Sequence, residues 1–490
     1  MKIQIDSFQW WLSNDRNVWQ KGAFWKSDSI EYRKNSSYIT LNRWVSELQN
    51  FTGTSPIVAL SFDGNWGTNT LGELLAFCSD GKIYDKNGIS YDLSATDWIT
   101  NFWTANGLKY VIGINKLFPF TDKNNVGASL GTFANANQTK RPVLEFNWDL
   151  IIGDGNAIAR YNKNLTFMTY SATIERPVLW GLDGTVTAIT KIGSSIYVWC
   201  ASGANTNLYI WDWYTSRASQ KITYNGTPVV NVALLGASHY FWTQKAPTAI
   251  KNVFVGESYQ PTRYITSDIP NWLSSWTDND QNILGIYGTN TNAIETVSDI
   301  VYLPWYWRIF GMGKYFPWQS ISLNREFIFN GSECVAMLAW EQTSNVDLSS
   351  KFVIAYNRSW TFYVWEVDFK DWNGLYELTG YVESLEYVAP NQVLGEDNVK
   401  LIVPFELQTG TSISVYAKID RGSYTLLRTI NTTDYGTGYN VAEVKWVWKW
   451  SVIQFKFKLD TASSAYSPKL MTGIINESTS VWLITSPTRR

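Results

Sequence analysis

The feature that most constrains this chain is an alternation of apolar and polar residues with a period of two. It is clearest in residues 195–200, 207–213 and 361–367, which are rich in β-branched and aromatic residues and bounded by Gly, Asn, Asp or Ser. Successive side chains of a strand point to opposite faces, so this pattern predicts strands of about five to seven residues. Capped amphipathic patterns typical of helices are scarce. The sequence therefore predicts an all-β protein.

The composition indicates a chain with a large core. Aromatic residues make up 16% of the 490 residues, with 27 Trp, 28 Tyr and 23 Phe, and charged residues only 17%. Such a composition excludes a disordered chain, a coiled coil and a collagen-like fibre. Forty Lys and Arg residues against 42 Asp and Glu give a net charge of -2, without a block of basic residues. A protein that neutralises many nucleic-acid phosphates is therefore disfavoured.

A hairpin unit recurs between residues 50 and 374. In each unit an apolar strand enters a turn of Gly, Asn, Asp or Ser, and a second alternating strand follows. The spacing of about 45 residues is typical of a four-stranded propeller blade. We therefore predict a β-propeller of about seven blades. Between six and eight blades are possible, because one unit is longer than the others. A β-helix or a pair of β-sandwiches are the alternative folds. The units lie at 77–88, 151–164, 198–213 and 353–368, with fainter copies at 110–120, 240–256 and 308–318.

The pattern changes after about residue 374. Longer alternating strands follow, for example 399–407 and 452–459, and about 100 residues with some seven strands are typical of a β-sandwich. The first 50 residues are too aromatic for a free tail and are expected to dock on the propeller or on a neighbouring subunit. The predicted organisation is an N-terminal docking segment at 1–50, a β-propeller at 51–374, a β-sandwich at 375–477 and a C-terminal tail at 478–490.

The usual nucleophiles and metal ligands are few. His239 is the only histidine, so a Ser-His-Asp or Cys-His site would have to use it, and a His-rich zinc site is excluded. Cys78, Cys200 and Cys334 lie in apolar stretches without CxxC spacing, which favours packing over a disulfide framework or a metal site. We predict no metal and no cofactor.

Paired carboxylates are the remaining route to catalysis, because a propeller rim can hold the two acids of a glycosidase. Most of the acidic candidates belong to Asp-Gly steps or neighbouring turns, where a carboxylate bonds to the local backbone. Phosphate-binding loops with a Walker spacing are not present. We therefore predict no catalytic residues and expect the protein not to be an enzyme. The carboxylates considered are Asp63, Asp149, Asp154, Asp183 and Glu145.

Clustered tryptophans are the sequence feature with most functional content. They have three readings: core packing, a subunit interface, where Trp is favoured, and a stacking surface for sugars. The candidates for interface residues are Trp211, Trp213, Trp305, Trp307, Trp446, Trp448 and Trp450.

A propeller of hairpin units, followed by the strand IQFKFKLD at 453–460 and the stretch SPKL at 467–470, resembles structural proteins of tailed bacteriophages, notably nozzle or tail-tube-like proteins of the neck and tail. The resemblance implies a propeller that decorates a ring-forming platform, with several copies closed around the DNA channel and no catalytic residues. A platform divided between the two chain ends is not evident in the sequence.

These observations predict a non-enzymatic virion structural protein that forms a ring in the tail or neck. Its expected partners are other copies of itself, other tail or neck proteins, and DNA that passes through without sequence recognition. Neither a signal peptide nor a membrane-spanning stretch is legible, so synthesis in a cytoplasm is expected. The resemblance implies assembly in the host bacterial cytoplasm and a final location in the virion. The alternative is a carbohydrate-binding or glycan-cleaving propeller used in host-surface recognition.

Overall fold

The regular secondary structure of the described residues is almost entirely β-strand, with one short helix, α1 (Thr432–Tyr435). This confirms the predicted all-β class. The computed structural model describes residues 2–5, 24–31, 38–42, 46–53, 55–63, 73–85, 87–105, 107–136, 138–162, 167, 178–225, 229–235, 238–243, 253–257, 260–264, 295–297, 300–305, 308–313, 322–328, 333–341, 350–358, 361–368, 375–384, 386–388, 396–472 and 474–478.

Antiparallel sheets of sequentially paired strands follow one another from residue 57 to residue 368. The chain begins with β1 (Lys2–Ile5), β2 (Phe24–Asp28), β3 (Ile30–Glu31), β4 (Tyr38–Leu41) and β5 (Ser46–Gly53). The next sheets hold β6 (Ile57–Asp63), β7 (Glu73–Cys78), β8 (Lys82–Asp85) and β9 (Gly88–Asp92); β10 (Ile99–Ala105), β11 (Leu108–Gly113), β12 (Lys116–Asp122), β13 (Asn125–Val126) and β14 (Gly131–Thr132); and β15 (Val143–Phe146), β16 (Asp149–Asp154) and β17 (Ala157–Tyr161).

The later sheets keep the same sequential order. They hold β18 (Thr185–Ile192), β19 (Ser195–Ser202), β20 (Asn205–Trp211) and β21 (Gln220–Asn225); β22 (Val229–Leu235), β23 (Ser238–Thr243), β24 (Val253–Glu257) and β25 (Gln260–Tyr264); β26 (Glu295–Val297), β27 (Ile300–Trp305), β28 (Arg308–Gly313) and β29 (Ser322–Ile328); and β30 (Glu333–Glu341), β31 (Ser350–Arg358) and β32 (Thr361–Asp368).

These sheets are arranged radially. First strands of neighbouring sheets contact each other: β6 touches β10 and β30, β18 touches β15 and β22, and β26 touches β30. Apolar clusters fill the spaces between adjacent sheets, for example where Phe77 stacks on Phe102 with ring centroids 4.3 Å apart. The chain therefore folds as a β-propeller, as the hairpin repeat predicts.

The N-terminal strand β5 completes the last of these sheets. It pairs antiparallel with β32, with Glu47 opposite Trp365, so one sheet joins strands more than 300 residues apart in sequence. Residues 50 and 51, on either side of the predicted domain boundary, both belong to β5.

Two further sheets combine strands from both chain ends. The first has the order β1-β41-β35-β40-β4-β3, with β38 also on β35, and the second has the order β2-β33-β39-β36-β37. One parallel bridge, Asp28 to Arg325, connects β2 to β29 of the propeller. The N-terminal segment thus pairs with C-terminal strands of the same chain. The C-terminal strands are β33 (Thr379–Ser384), β34 (Tyr387–Val388), β35 (Glu396–Leu407), β36 (Thr411–Ile419), β37 (Tyr424–Asn431), β38 (Gly438–Trp450), β39 (Val452–Thr461), β40 (Lys469–Met471) and β41 (Ile474–Ser478).

Candidate functional site

Three of the predicted interface tryptophans lie inside the chain. Trp211 ends β20 and is fully buried, Trp213 follows two residues later and is buried, and Trp450 is the buried last residue of β38. A residue that contacts another subunit must have accessible surface in the separate chain. These three indoles are therefore packing residues, because the chain itself covers them.

The other four tryptophans stay predictions. Trp305 ends β27 and pairs with Arg308 across the hairpin, and Trp446 and Trp448 belong to β38. The side chains of these three lie outside the described part of the structure, and Trp307 lies wholly outside it.

The buried carboxylate of Asp149 organises the surroundings of Trp213. The guanidinium of Arg160, on the neighbouring strand β17, donates from Nε and Nη2 to Asp149 Oδ2, the Nε contact being 3.2 Å. Asn162 Nδ2 donates to Oδ1 at 2.8 Å, and the indole Nε1 of Trp213 donates to Oδ2 at 3.1 Å. Both charged groups are buried, so the ion pair is tolerated because these hydrogen bonds satisfy it.

The same arginine holds Trp213 in position. Arg160 Nη1 donates to the Trp213 carbonyl at 3.2 Å, and its guanidinium carbon lies 4.9 Å from the indole centroid. Trp213 has φ of 74°, in the left-handed region that costs energy for a bulky residue. The edge of Phe146 packs against its ring at 6.0 Å. Buried contacts therefore stabilise an unusual backbone conformation.

Two large aromatic side chains emerge beside this network. Trp148 precedes Asp149 and is 70% exposed, and its carbonyl accepts a 3.2 Å hydrogen bond from Asn162 Nδ2. Tyr214 follows Trp213, is 69% exposed, and its ring centroid lies 4.8 Å from that of Trp213. We call Trp148, Trp213 and Tyr214 the aromatic platform. Trp148 is not among the residues predicted from the sequence, although Asn147 between two alternating strands indicates a turn there.

The innermost strands of the propeller enclose a channel of about 490 Å³. Polar groups and apolar side chains both contribute to its walls, and Lys140 is the one ionisable residue among the described residues that line it. Burial lowers the pKa of Lys140 to about 8. The lining residues are Val58, Ala59, Leu60, Ser61, Asn101, Phe102, Trp103, Thr104, Lys140, Pro142, Val143, Thr187, Ala188, Ile189, Val232, Ala336, Met337 and Leu338.

The carboxylates considered as a glycosidase pair do not converge. Asp149 and Asp154 stand at opposite ends of the six-residue strand β16, about 16 Å apart along an extended chain, beyond the separation of about 5–10 Å that glycosidases use. Asp154 is also buried, and Arg141 Nη1 donates to it at 3.0 Å. Both acids hold the fold together.

Asp183 is exposed but engaged locally. It accepts hydrogen bonds from Ser202 Oγ at 2.8 Å and from Lys221 Nζ at 3.2 Å, and these bonds hold its pKa below the ordinary value. Glu145 lies in β15, where it pairs with Leu150 of β16. The side chain of Asp63 lies outside the described residues.

Burial also explains why two of the cysteine thiols are unreactive. Cys78 and Cys200 are buried, and desolvation raises the pKa of both thiols well above its usual range, which makes them poor nucleophiles. Cys334 lies in β30 and His239 in β23, with side chains outside the described set. Where side chains are described, no three His, Cys, Asp or Glu residues are close enough to hold a metal ion.

One side of the two C-terminal sheets ends in the edge strands β37 and β38, which touch each other. Each pairs with only one strand in the described sheets, and each carries exposed apolar residues. These are Leu426, Tyr439 and Val441.

No family model and no curated protein matches the sequence. Propellers are among the solved structures that are similar to the chain. The Dos1 propeller aligns with 13% identity and a TM-score of 0.43 over 70% of this chain and 94% of its own. The WD40 β-propeller domain of Doa1 aligns with 7% identity and a TM-score of 0.42 over 66% and 97%. The WD40 domain of Pan2 from Neurospora crassa aligns with 10% identity and a TM-score of 0.43 over 67% and 98%. The assignment of the fold rests on the sheets described above.

A search of the described residues finds no helix with the length and apolarity that a membrane crossing requires.

Proposed function

We propose that the chain is a non-enzymatic structural protein of a tailed bacteriophage virion, a nozzle-like component that forms a ring in the tail or neck. The observation that carries the proposal is the pair of sheets built from both chain ends, β1 to β4 together with β33 to β41. In the family that the sequence resembles, a platform of this kind carries the propeller. The sequence pattern does not reveal a platform that is divided between the two chain ends. The pairing of N-terminal with C-terminal strands supports such a platform.

The proposal includes a finer architecture. The radial sheets are seven blades, the third of them described with three strands and the last completed by β5. The two C-terminal sheets form a β-sandwich. Its core is supported by fully buried residues on strands of both sheets: Val403, Phe405 and Leu470 on one, Ile413, Val415, Phe457 and Leu459 on the other.

The ring closes through the sandwich edges. Uncovered edge strands invite pairing with another chain unless they are blocked, and β37 and β38 lie side by side with Tyr439 66% exposed. A head-to-tail contact repeated by rotation produces a closed ring. In this arrangement the partners are further copies and neighbouring tail or neck proteins, assembled in the host cytoplasm and retained in the virion.

DNA passes through the centre of the ring. The channel inside a single propeller, about 490 Å³, has the volume of a small-molecule site. It is too small for duplex DNA, whose major groove alone is about 12 Å wide. The DNA therefore passes through the centre of the ring of copies and not through a propeller. The net charge of -2 agrees with a passage that does not bind phosphates tightly.

Native mass spectrometry of the purified chain tests the ring. We expect one closed oligomer of defined copy number, because repeated identical contacts saturate only on closure. The double variant Tyr439→Lys and Val441→Lys places charges on the β38 edge and is expected to shift the oligomer to monomer. Ile89→Lys, at a propeller residue that is 56% exposed, is the matched control and should keep the oligomer. A parent chain that stays monomeric at micromolar concentration would contradict the proposal.

A further inference from the structure

We propose that the aromatic platform is a carbohydrate-binding site, at which a sugar ring stacks on the exposed rings of Trp148 and Tyr214 and donates hydroxyl hydrogen bonds to Asp212, while the buried Trp213 packs against Tyr214. The site binds without cleaving, and it is independent of the ring contacts at β37 and β38.

The backbone around the platform is strained. Asn147 has φ of 47° and Trp148 φ of 69°, and Trp213 is left-handed as well. Asn tolerates this region, but an indole does not favour it. With 70% of its surface exposed, Trp148 recovers little of this cost by burial. Strained residues of this kind cluster at binding sites, where the conformation serves to aim a side chain.

The platform is also rigid. The Asp149 carboxylate binds Trp213 Nε1, and the same Asn162 amide that bonds to Asp149 holds the Trp148 carbonyl. The Trp148 carbonyl and the Trp213 indole are therefore both held by groups that bind one buried carboxylate. Backbone that is held in this way loses little conformational freedom when a ligand binds beside it, which favours binding.

A fixed hydrogen-bond acceptor lies next to Tyr214. Asp212 Oδ1 accepts hydrogen bonds from the backbone N–H groups of Tyr214 and Thr215, both at 3.1 Å, and from Thr215 Oγ1 at 2.9 Å. Within the described part of the chain, its second carboxylate oxygen is not engaged by a hydrogen bond. A carboxylate oxygen held beside an aromatic face suits a sugar, which offers an apolar ring face and hydroxyl donors.

The surroundings favour a sugar over a protein partner. The exposed neighbours of the rings are polar, namely Asn147, Thr215, Ser216 and Arg217. The centre of a protein interface is instead depleted of charged residues and closed off by a surrounding rim. Cleavage would need a second acid near Asp212, and Asp149 is buried in its ion pair with Arg160.

Affinity electrophoresis tests the site on the full chain. Native gels are cast with dextran, with yeast mannan, or with the polysaccharide released from bacterial lipopolysaccharide, and the migration of the parent is compared with that of Trp148→Ala, Tyr214→Ala and Asp212→Asn. The matched control is Trp98→Ala, since Trp98 is 58% exposed but precedes an innermost strand, whereas Trp148 follows one. Thermal unfolding curves establish that each variant is folded.

We expect at least one polysaccharide to retard the parent and the Trp98 variant. The three platform variants should bind roughly tenfold more weakly or not at all, the loss expected when one stacking or charge-assisted contact is removed. Failure of all three polysaccharides to retard the parent would overturn the proposal, and so would equal retardation of Trp148→Ala. A change of oligomeric state in Trp148→Ala, without glycan binding by the parent, would assign the platform to a protein contact. A parent chain that is monomeric but binds a polysaccharide would contradict the proposed ring and leave the proposed carbohydrate site standing.

Discussion

At the scale of single residues, burial decides what a charge contributes. The pair of Arg160 and Asp149 is enclosed and supported by several hydrogen bonds, whereas Lys221 and Asp183 form their 3.2 Å ion pair at the surface. Exposed pairs contribute about 0–1 kcal/mol. A buried charge that loses its partner is costly, because nothing replaces the water it gave up.

Arg160→Ala is therefore expected to lower the free energy of unfolding by about 3–5 kcal/mol, since it leaves the Asp149 carboxylate buried without its counter-charge. Urea unfolding followed by tryptophan fluorescence measures the change. Lys221→Ala, the exposed control, should change stability by less than about 1 kcal/mol. The double variant Arg160→Ala with Asp149→Asn should recover part of the lost free energy of unfolding. Equal losses in Arg160→Ala and Lys221→Ala would show that the buried ion pair does not stabilise the fold more than the exposed one.

The sequence alone does not indicate this pair. Asp149 and Arg160 are eleven residues apart, and they meet because β16 and β17 pair with Ile151 opposite Arg160. From the sequence, Asp149 is predicted to be a turn residue or a possible catalytic acid. The ion pair depends on the register of β16 and β17, and a one-residue change of register would turn the side chains of the whole strand to its other face.

At the scale of elements, turn chemistry and strand alternation carry most of the information. Asp154 and Gly155 end β16 in a turn where Gly155 has φ of 64°, as the Asp-Gly step predicts. The turn from β15 to β16 departs from this rule, because Trp148 occupies a left-handed position that Gly fills at no steric cost.

Trp148→Gly is expected to raise the free energy of unfolding by about 1 kcal/mol, because Asn-Gly is the preferred pair for a two-residue turn with positive φ. Thermal and urea unfolding measure the change. Trp98→Gly is the control, because Trp98 is not among the described residues with positive φ, and there glycine should destabilise. A loss of stability in Trp148→Gly would indicate that the indole stabilises the fold. The strained backbone at Trp148 would then no longer support a binding role for the aromatic platform.

At the scale of the whole molecule, the two chain ends make one structural unit. β1 pairs with β41, β2 with β33 and β4 with β40, so the C-terminal strands alone lack part of both sheets. The contacts that define this unit close loops of more than 300 residues, and closing long loops costs conformational entropy and slows folding.

Fragment 375–490 expressed alone is therefore expected to lack cooperative unfolding, because the edges that β2, β4 and β1 cover would be open. The same fragment joined through a flexible linker to residues 1–45 should fold. Circular dichroism and thermal unfolding distinguish the two. Cooperative unfolding of 375–490 alone would show that the C-terminal sheets do not depend on the N-terminal strands.

The sequence by itself determined the all-β class and the hairpin repeat of the propeller, because alternation and turn residues act within a few neighbours along the chain. Only the tertiary structure decided that the N-terminal segment pairs with C-terminal strands, that Trp211 and Trp450 are buried, and that Trp148 is exposed beside an ion pair. These features depend on contacts between residues that are far apart in sequence. A local sequence pattern does not determine which distant strand will cover a given side chain.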